Sequence, residues 1–343
     1  MRGKWTVIGV SVIAGFCGVF VGLYTIWKKP LYISPISLES IPTPDPILSS
    51  VAGVQTIDAF PPTAYFPSDL TPTYSDDLSV TATSYAVMDR DTRELLFAKD
   101  MTDEHPIASL TKIMTTIIAL ETYALDTKLT VSGNAAVTGE AFMGLTKGEI
   151  LTVEDLLYGV MLPSGNDASE TLAQGLSPDE GVDSADIATR RRNQFITRMN
   201  TKAKELGMYD TYFYNPTGLD ERLQSLSTFS TALDLLALSN YALTNTTFAK
   251  IAQTEEHIIP YEEGKHKAFY LYNILQFDRT YKGIKGIKPG NTEYAGETLA
   301  SYIEHDGRKI IVILLGSTAT RDDALKIYRF LFEGENAAKK AKT

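Results

Sequence analysis

Hydrophobic positions along this chain follow two periods, and the segments they mark come in a simple order. In SYAVMDRDTRELLFAKD (84–100), two alternating runs flank Asp89-Arg90-Asp91-Thr92, which predicts a β-hairpin near the start of a folded region beginning at about Leu78. Ser109 to Tyr123 (SLTKIMTTIIALETY) is apolar on nearly all sides, the pattern of a buried central helix. Thr152 to Val160 opens with a capping threonine and predicts a helix, followed by Asp167 to Gln174 and the long stretch Ala185 to Leu206. Apolar or alternating runs return at Gly283 to Lys288, Thr298 to His305 and Lys309 to Gly316, with Asp306-Gly307 marking a tight hairpin between the last two. Asp322 to Glu333 then reads as an amphipathic helix. Strands at both ends with helices between them predict an α+β domain with an antiparallel sheet that unites the two ends.

The N-terminal segment has neither period. Trp5 to Trp27 carries no charged residue, and its length at about 1.5 Å per residue gives roughly 35 Å, enough to cross a hydrocarbon core. Tryptophans close both ends and Lys28 and Lys29 follow, so the segment predicts an N-terminal transmembrane helix rather than a cleaved signal peptide, for which LYTIWKKP offers no small-residue cleavage site. Phe16 before Cys17 and the apolar run beyond it are unlike a lipidation site. Pro30 to Pro72 holds nine of the fifteen prolines, mixed with Ser, Thr and Asp, which predicts an extended linker. The expected organisation is an anchor at 1–29, a Pro-rich extracytoplasmic linker at 30–77, a catalytic domain at 78–334 and a disordered tail at 335–343. The protein is accordingly expected in the cell membrane, single-pass, with its domain outside. The flanking charges, Arg2, Lys4 and the α-amine before the span against Lys28 and Lys29 after it, favour that orientation.

Composition narrows the function. The net charge of −10 argues against a nucleic-acid partner, since phosphate binding needs basic patches. Arg190-Arg191-Arg192 is the one dense basic run and reads as a solvated helix face. Gly175 to Asp186 reads as an acidic surface loop. With one cysteine no intramolecular disulfide forms. The four histidines show no HExxH spacing and no clustered carboxylates, so no metal or cofactor is expected.

Candidate chemistry lies in three short motifs. Ser109-Leu110-Thr111-Lys112 is an SxxK arrangement at a helix start, and the i,i+3 spacing puts a nucleophile and a base on one face. Chance also produces that pattern in a chain this long, as a capping serine and a solvated lysine. A lysine beside so apolar a helix is partly desolvated, which lowers its pKa and lets it accept the serine proton. An SxN triplet occurs twice, as Ser132-Gly133-Asn134 in a plain turn and as Ser164-Gly165-Asn166 after an apolar helix and Pro163. The second context favours Ser164 and Asn166. Lys288-Pro289-Gly290 is a KTG-like triplet on a strand, where the lysine supplies charge for a carboxylate and the glycine permits close backbone approach.

The stretches HPIASLTKIMTT, LTVEDLLYGVMLPSGNDAS, MNTKAKELGMYDTYFYNPTGLD, STALDLLALSNYAL and GIKGIKPGNTEYAG resemble, in order, the signatures of the D-alanyl-D-alanine carboxypeptidases, the low-molecular-weight penicillin-binding proteins. The resemblance implies a penicillin-recognising serine transpeptidase or β-lactamase-like fold, with an antiparallel sheet flanked by helices plus a helical lobe. It implies that Ser109 attacks the carbonyl of the penultimate D-alanine of a peptidoglycan stem peptide, that Lys112 takes its proton and that Ser164 passes a proton to the departing D-alanine. Asn166, Lys288, Gly290, Asn291 and Thr292 would bind substrate, with the N–H groups of Ser109 and Asn291 as the oxyanion hole. β-Lactams are the implied inhibitors. Pro289 departs from the family pattern, which has threonine or serine there, and removes a hydroxyl expected on the substrate carboxylate. The usual C-terminal β-rich domain has no counterpart in the expected organisation. A catalytically weak peptide-binding relative, a D,D-endopeptidase and a β-lactamase are the alternatives; the last needs a positioned glutamate that the sequence does not identify.

Overall fold

A computed structural model describes residues 62–75, 78–180, 185–275 and 281–334. The expected anchor, most of the linker and the tail lie outside the described residues. Among the described residues no helix is long and apolar enough to cross a membrane.

The elements that build the site are β1 (Ser84–Asp89), β2 (Leu95–Lys99), α1 (Thr111–Thr122), α2 (Val153–Met161), α3 (Asn166–Gln174), α4 (Ala185–Glu205), α5 (Ala232–Ala242), β3 (Ile284–Thr292), β4 (Gly296–His305), β5 (Arg308–Ser317) and α6 (Thr320–Glu333). The strands form one antiparallel sheet in the order β2-β1-β5-β4-β3, so the N-terminal hairpin pairs with the C-terminal one and β3 is an edge. The α+β class and the sheet that joins both ends are as the sequence pattern predicts.

Alternation divides the central strands between two cores. Ala86 and Met88 of β1 and Ile311, Ile313 and Leu315 of β5 join the large cluster that also holds α1, α2 and α5. Tyr85, Val87, Ile310, Val312 and Leu314 face the opposite way, onto Ala324, Ile327 and Tyr328 of α6. Covered on both faces, β1 is buried along its whole length, and its central run Tyr85–Met88 is apolar on both sides. The Asp306-Gly307 turn has φ of 48° and 75°, the left-handed pair that a two-residue hairpin requires. Local chemistry also starts the helices as expected: the Thr152 hydroxyl accepts the Asp155 N–H at the start of α2.

Two expectations need correction. Residues 62–75, assigned to the linker, pack on the domain: Tyr65 is in the main core, and the N–H groups of Thr73 and Tyr74 bond the carbonyls of Leu95 and Leu96. Aromatic side chains among the prolines supply that packing, with Tyr74 stacked on Phe97 at 5.0 Å. The Arg190-Arg191-Arg192 run is also no plain solvated face. Arg192 forks onto the buried carboxylate of Glu170 on α3 at 2.8 and 3.0 Å, and Arg191 holds Glu180 and the Gly175 carbonyl at 2.6 Å. These contacts tie α4 to α3, and Glu180 draws part of the acidic loop into the structure.

Candidate active site

Ser109 lies in a single 3₁₀ turn (Ala108–Leu110) that leads into α1, on which Lys112 sits at the first turn. Ala108 adopts φ of 48°, and its carbonyl accepts the Thr111 hydroxyl at 2.8 Å. The turn is pressed from outside by Gly218, where a Cβ would stand 1.8 Å from the Ala108 oxygen. Only glycine fits that approach, at a φ of 81°.

Lys112 is fully buried, and its ammonium meets three oxygens: Ser109 Oγ at 2.9 Å, Asn166 Oδ1 at 2.6 Å and the Thr217 carbonyl at 2.8 Å. The third acceptor is positioned by a self-bonded loop. Asn215 Oδ1 accepts the N–H groups of Thr217 and Gly218 and the Thr217 hydroxyl, while the Thr115 hydroxyl of α1 donates to the Pro216 carbonyl. Burial pushes the Lys112 pKa well down, the positive charge of Lys288 pushes it further, and Asp167 and Glu140 oppose the shift. A neutral amine keeps a lone pair, so the 2.9 Å bond to Ser109 can reverse and carry the serine proton toward nitrogen.

Ser164 occupies the loop between α2 and α3 with φ of 65°, a strained value for a non-glycine residue. That conformation brings its Oγ to 3.1 Å from Ser109 Oγ. Asn166 follows at the start of α3; its Nδ2 donates to the Gly139 carbonyl at 2.7 Å and its N–H to the Ala141 carbonyl. Next to it the buried Asp167 accepts the N–H groups of Met143, Gly144 and Leu145, each at 2.8 Å. The segment 139–145 is thereby fastened along the helical-lobe wall of the cleft.

The edge strand β3 forms the other wall. Lys288 is fully buried there, and burial alone brings its pKa down to about 7. Its nearest hydrogen-bond acceptor is the Pro289 carbonyl at 3.3 Å, which leaves the charge poorly compensated. Gly290 backs onto the nucleophile, since a Cβ there would lie 2.8 Å from the Ser109 nitrogen and 2.6 Å from Thr298 Oγ1. Pro289 sits mid-strand opposite Leu299, a place an edge strand tolerates because no ladder hydrogen bond is needed from its outer side. Asn291 is exposed at the strand's end. The Thr292 hydroxyl donates to Asp220 Oδ1 at 2.9 Å, and Asp220 Oδ2 accepts the Tyr294 N–H, so Thr292 fastens the strand end to the loop that carries Thr217.

Hydrogen bonds therefore join Ser109, Lys112, Ser164 and Asn166, while Lys288 acts on Lys112 through its charge and Gly290 through close approach to Ser109. Ser132, from the other SxN triplet, instead caps a short helix (Gly133–Ala136) and bonds Gln174 Oε1 at 2.6 Å, apart from this cluster. Asn215, Thr217, Asp167 and Asp220 are supports that motif spacing did not single out. The NPTG run carried a signal, because an asparagine followed by proline and glycine favours a side-chain-closed turn. Among the described residues no group of histidine, cysteine and carboxylate side chains is arranged to hold a metal.

The D-alanyl-D-alanine carboxypeptidase family model matches residues 71–319. The chain is 30% identical over 279 residues to the D-alanyl-D-alanine carboxypeptidase DacF of Bacillus subtilis, covering 79% of this chain and 66% of that protein. It is 28% identical over 262 residues to a D-alanyl-D-alanine endopeptidase of Pseudomonas aeruginosa, covering 74% of this chain and 78% of the relative. A crystal structure of a Streptomyces DD-transpeptidase superposes with a TM-score of 0.67 at 28% identity, covering 74% of this chain and 98% of the other.

Proposed function

This chain belongs to the D-alanyl-D-alanine carboxypeptidase family, and on that footing we propose that it is a serine peptidase that removes the terminal D-alanine of peptidoglycan stem peptides through an acyl-enzyme on Ser109. The observation that carries this reading is the buried Lys112 amine held 2.9 Å from Ser109 Oγ, with Ser164 Oγ 3.1 Å from the same oxygen. Lys112 takes the proton as Ser109 attacks the carbonyl of the penultimate D-alanine. Ser164, in contact with the same oxygen, relays a proton to the departing amine. The N–H groups of Ser109 and Asn291 receive the oxyanion, Asn166 orients Lys112 and the peptide, and Lys288 holds the terminal carboxylate beside the bare backbone of Gly290. Thr292 contributes by fixing the strand end. Water then releases the acyl group. The test is release of free D-alanine from a D-alanyl-D-alanine peptide by the full-length chain in detergent. Cleavage only of cross-linked peptides would favour the endopeptidase alternative, and no cleavage of either would favour a binding-only relative.

A pH dependence follows from Lys288. Protonated, it binds the carboxylate; its pKa near 7 means that this form is present below about pH 7 and lost above it. The expected kcat/KM falls as pH rises through about 7, because that ratio reports ionisations of the free enzyme. In Lys288→Arg, charged throughout the range, the fall should vanish; a fall that persists there would assign it to another group.

Pro289 withholds a hydroxyl from the same carboxylate. One charge-assisted hydrogen bond contributes about 1.5–3 kcal/mol, so Pro289→Thr is expected to raise kcat/KM by about ten- to a hundredfold. An unchanged or lower rate in the folded variant would show that the strand is built around proline for a different ligand.

We also propose that residues 1–29 anchor the protein, with 30–61 as a tether that joins the domain near Pro62. The charge-free run Trp5 to Trp27 supports this. Fractionation of the native protein should find it in membranes with its N-terminus intact; a soluble form beginning beyond Trp27 would refute the anchor.

A further inference from the structure

The helical-lobe wall of the cleft carries one feature that the chemistry above does not use. Glu140 lies between the two carbonyls that hold Asn166, those of Gly139 and Ala141. It adopts φ of 73°, a left-handed conformation in which glycine would be the unstrained choice. Its carboxylate is exposed, and among the described residues it accepts no hydrogen bond and forms no ion pair. Yet it lies near enough for its charge to act on Lys112. An exposed carboxylate with no structural partner, held in a left-handed backbone on the segment that positions Asn166, is explained by what it meets from outside.

We infer that Glu140 is a specificity-determining residue, which binds a protonated amine on the side chain that precedes D-alanyl-D-alanine and so favours cationic peptides over neutral ones. The inference rests on the peptidase reading above. The sign and position of the charges set the direction. Lys288 on the β3 wall takes the C-terminal carboxylate, so the leaving D-alanine brings no cation toward Glu140, and the amine must come from the acyl side. The neighbouring side chains suit an amine on an aliphatic stem: Phe142, two residues on, is 50% exposed, and Val137 is 77% exposed. Such a stem covers apolar surface while its charged end stays at the rim. An exposed pair of this kind changes binding by a small factor and is screened by salt.

The test compares two peptides that differ only in the residue before D-alanyl-D-alanine, lysine in one and side-chain-acetylated lysine in the other, with full-length protein in detergent. Wild-type protein should prefer the free amine, through KM rather than kcat, and the preference should shrink as salt is added. Glu140→Gln should cut the ratio of the two kcat/KM values by about three- to fivefold. Glu140→Gly, which relieves the backbone strain, should do the same, and Glu140→Lys should reverse the preference. A wild-type ratio near one, or a ratio that these variants leave unchanged while penicillin still acylates Ser109, would overturn the role of Glu140 and leave the peptidase reading standing. Wild-type protein that cleaves neither peptide and takes no penicillin would remove that reading and this inference together.

Discussion

Lys112→Ala is expected to slow both penicillin acylation and D-alanine release by about two to four orders of magnitude, the range associated with loss of a positioned general base. Ser109 Oγ would keep Ser164 at 3.1 Å, but that hydroxyl does not remove a proton at neutral pH. The loss should exceed any effect on folding, because Asn166 Oδ1 and the Thr217 carbonyl stay anchored by their own loops when the amine is gone. Lys112→Arg should not rescue the rate, since a guanidinium holds its proton at every accessible pH. The check is single-turnover acylation in variants with an unchanged unfolding transition. A rate within tenfold of the parent would mean that Lys112 is structural and another group takes the proton.

Asp167→Ala has the largest expected cost in stability, about 3–5 kcal/mol. The carboxylate is fully buried and accepts the N–H groups of Met143, Gly144, Leu145 and Ala168, so its removal strands the donors of the buried Met143, Leu145 and Ala168, while that of the exposed Gly144 can turn to water. The effect should reach the site as well, since the same segment supplies the carbonyls that hold Asn166. Asp167→Asn keeps an acceptor oxygen but turns an N–H toward these donors, so it should fall between the two. Urea unfolding of the variants supplies the measurement. A cost below about 1 kcal/mol would show that the segment finds water in place of Asp167 and is not the rigid wall described here.

The elements that were legible in advance are those whose signal is local. The strands near 84–99 and 298–316 follow from alternation bounded by turn residues, and the helix after Ser109 follows from an apolar run with a lysine among its first residues. Motif order placed Ser109, Lys112, Ser164 and Asn166, and the preference for Ser164 over Ser132 rested on the apolar helix and proline before it; the structure joins Ser164 to Ser109 and leaves Ser132 as a helix cap. What stayed hidden depends on pairs far apart in sequence. Thr292 meets Asp220 across 72 positions, and Lys112 meets the Thr217 carbonyl across 105. A charge run shows no partner in itself, so Arg192 looked solvated although Glu170 waits on the neighbouring helix. The linker boundary was misplaced because prolines and polar residues dominate 62–75, while the aromatic rings of Tyr65 and Tyr74 decide where that segment packs.

The central claim is that Ser109 is the nucleophile of an acyl-enzyme. It is tested most directly by incubating the full-length chain with a penicillin, digesting it and locating the adduct by mass spectrometry. One adduct per chain on the peptide bearing Ser109, absent from Ser109→Ala and strongly slowed in Lys112→Ala, is the predicted result. Label retained in Ser109→Ala, or found on Ser132 or Ser164, would contradict it.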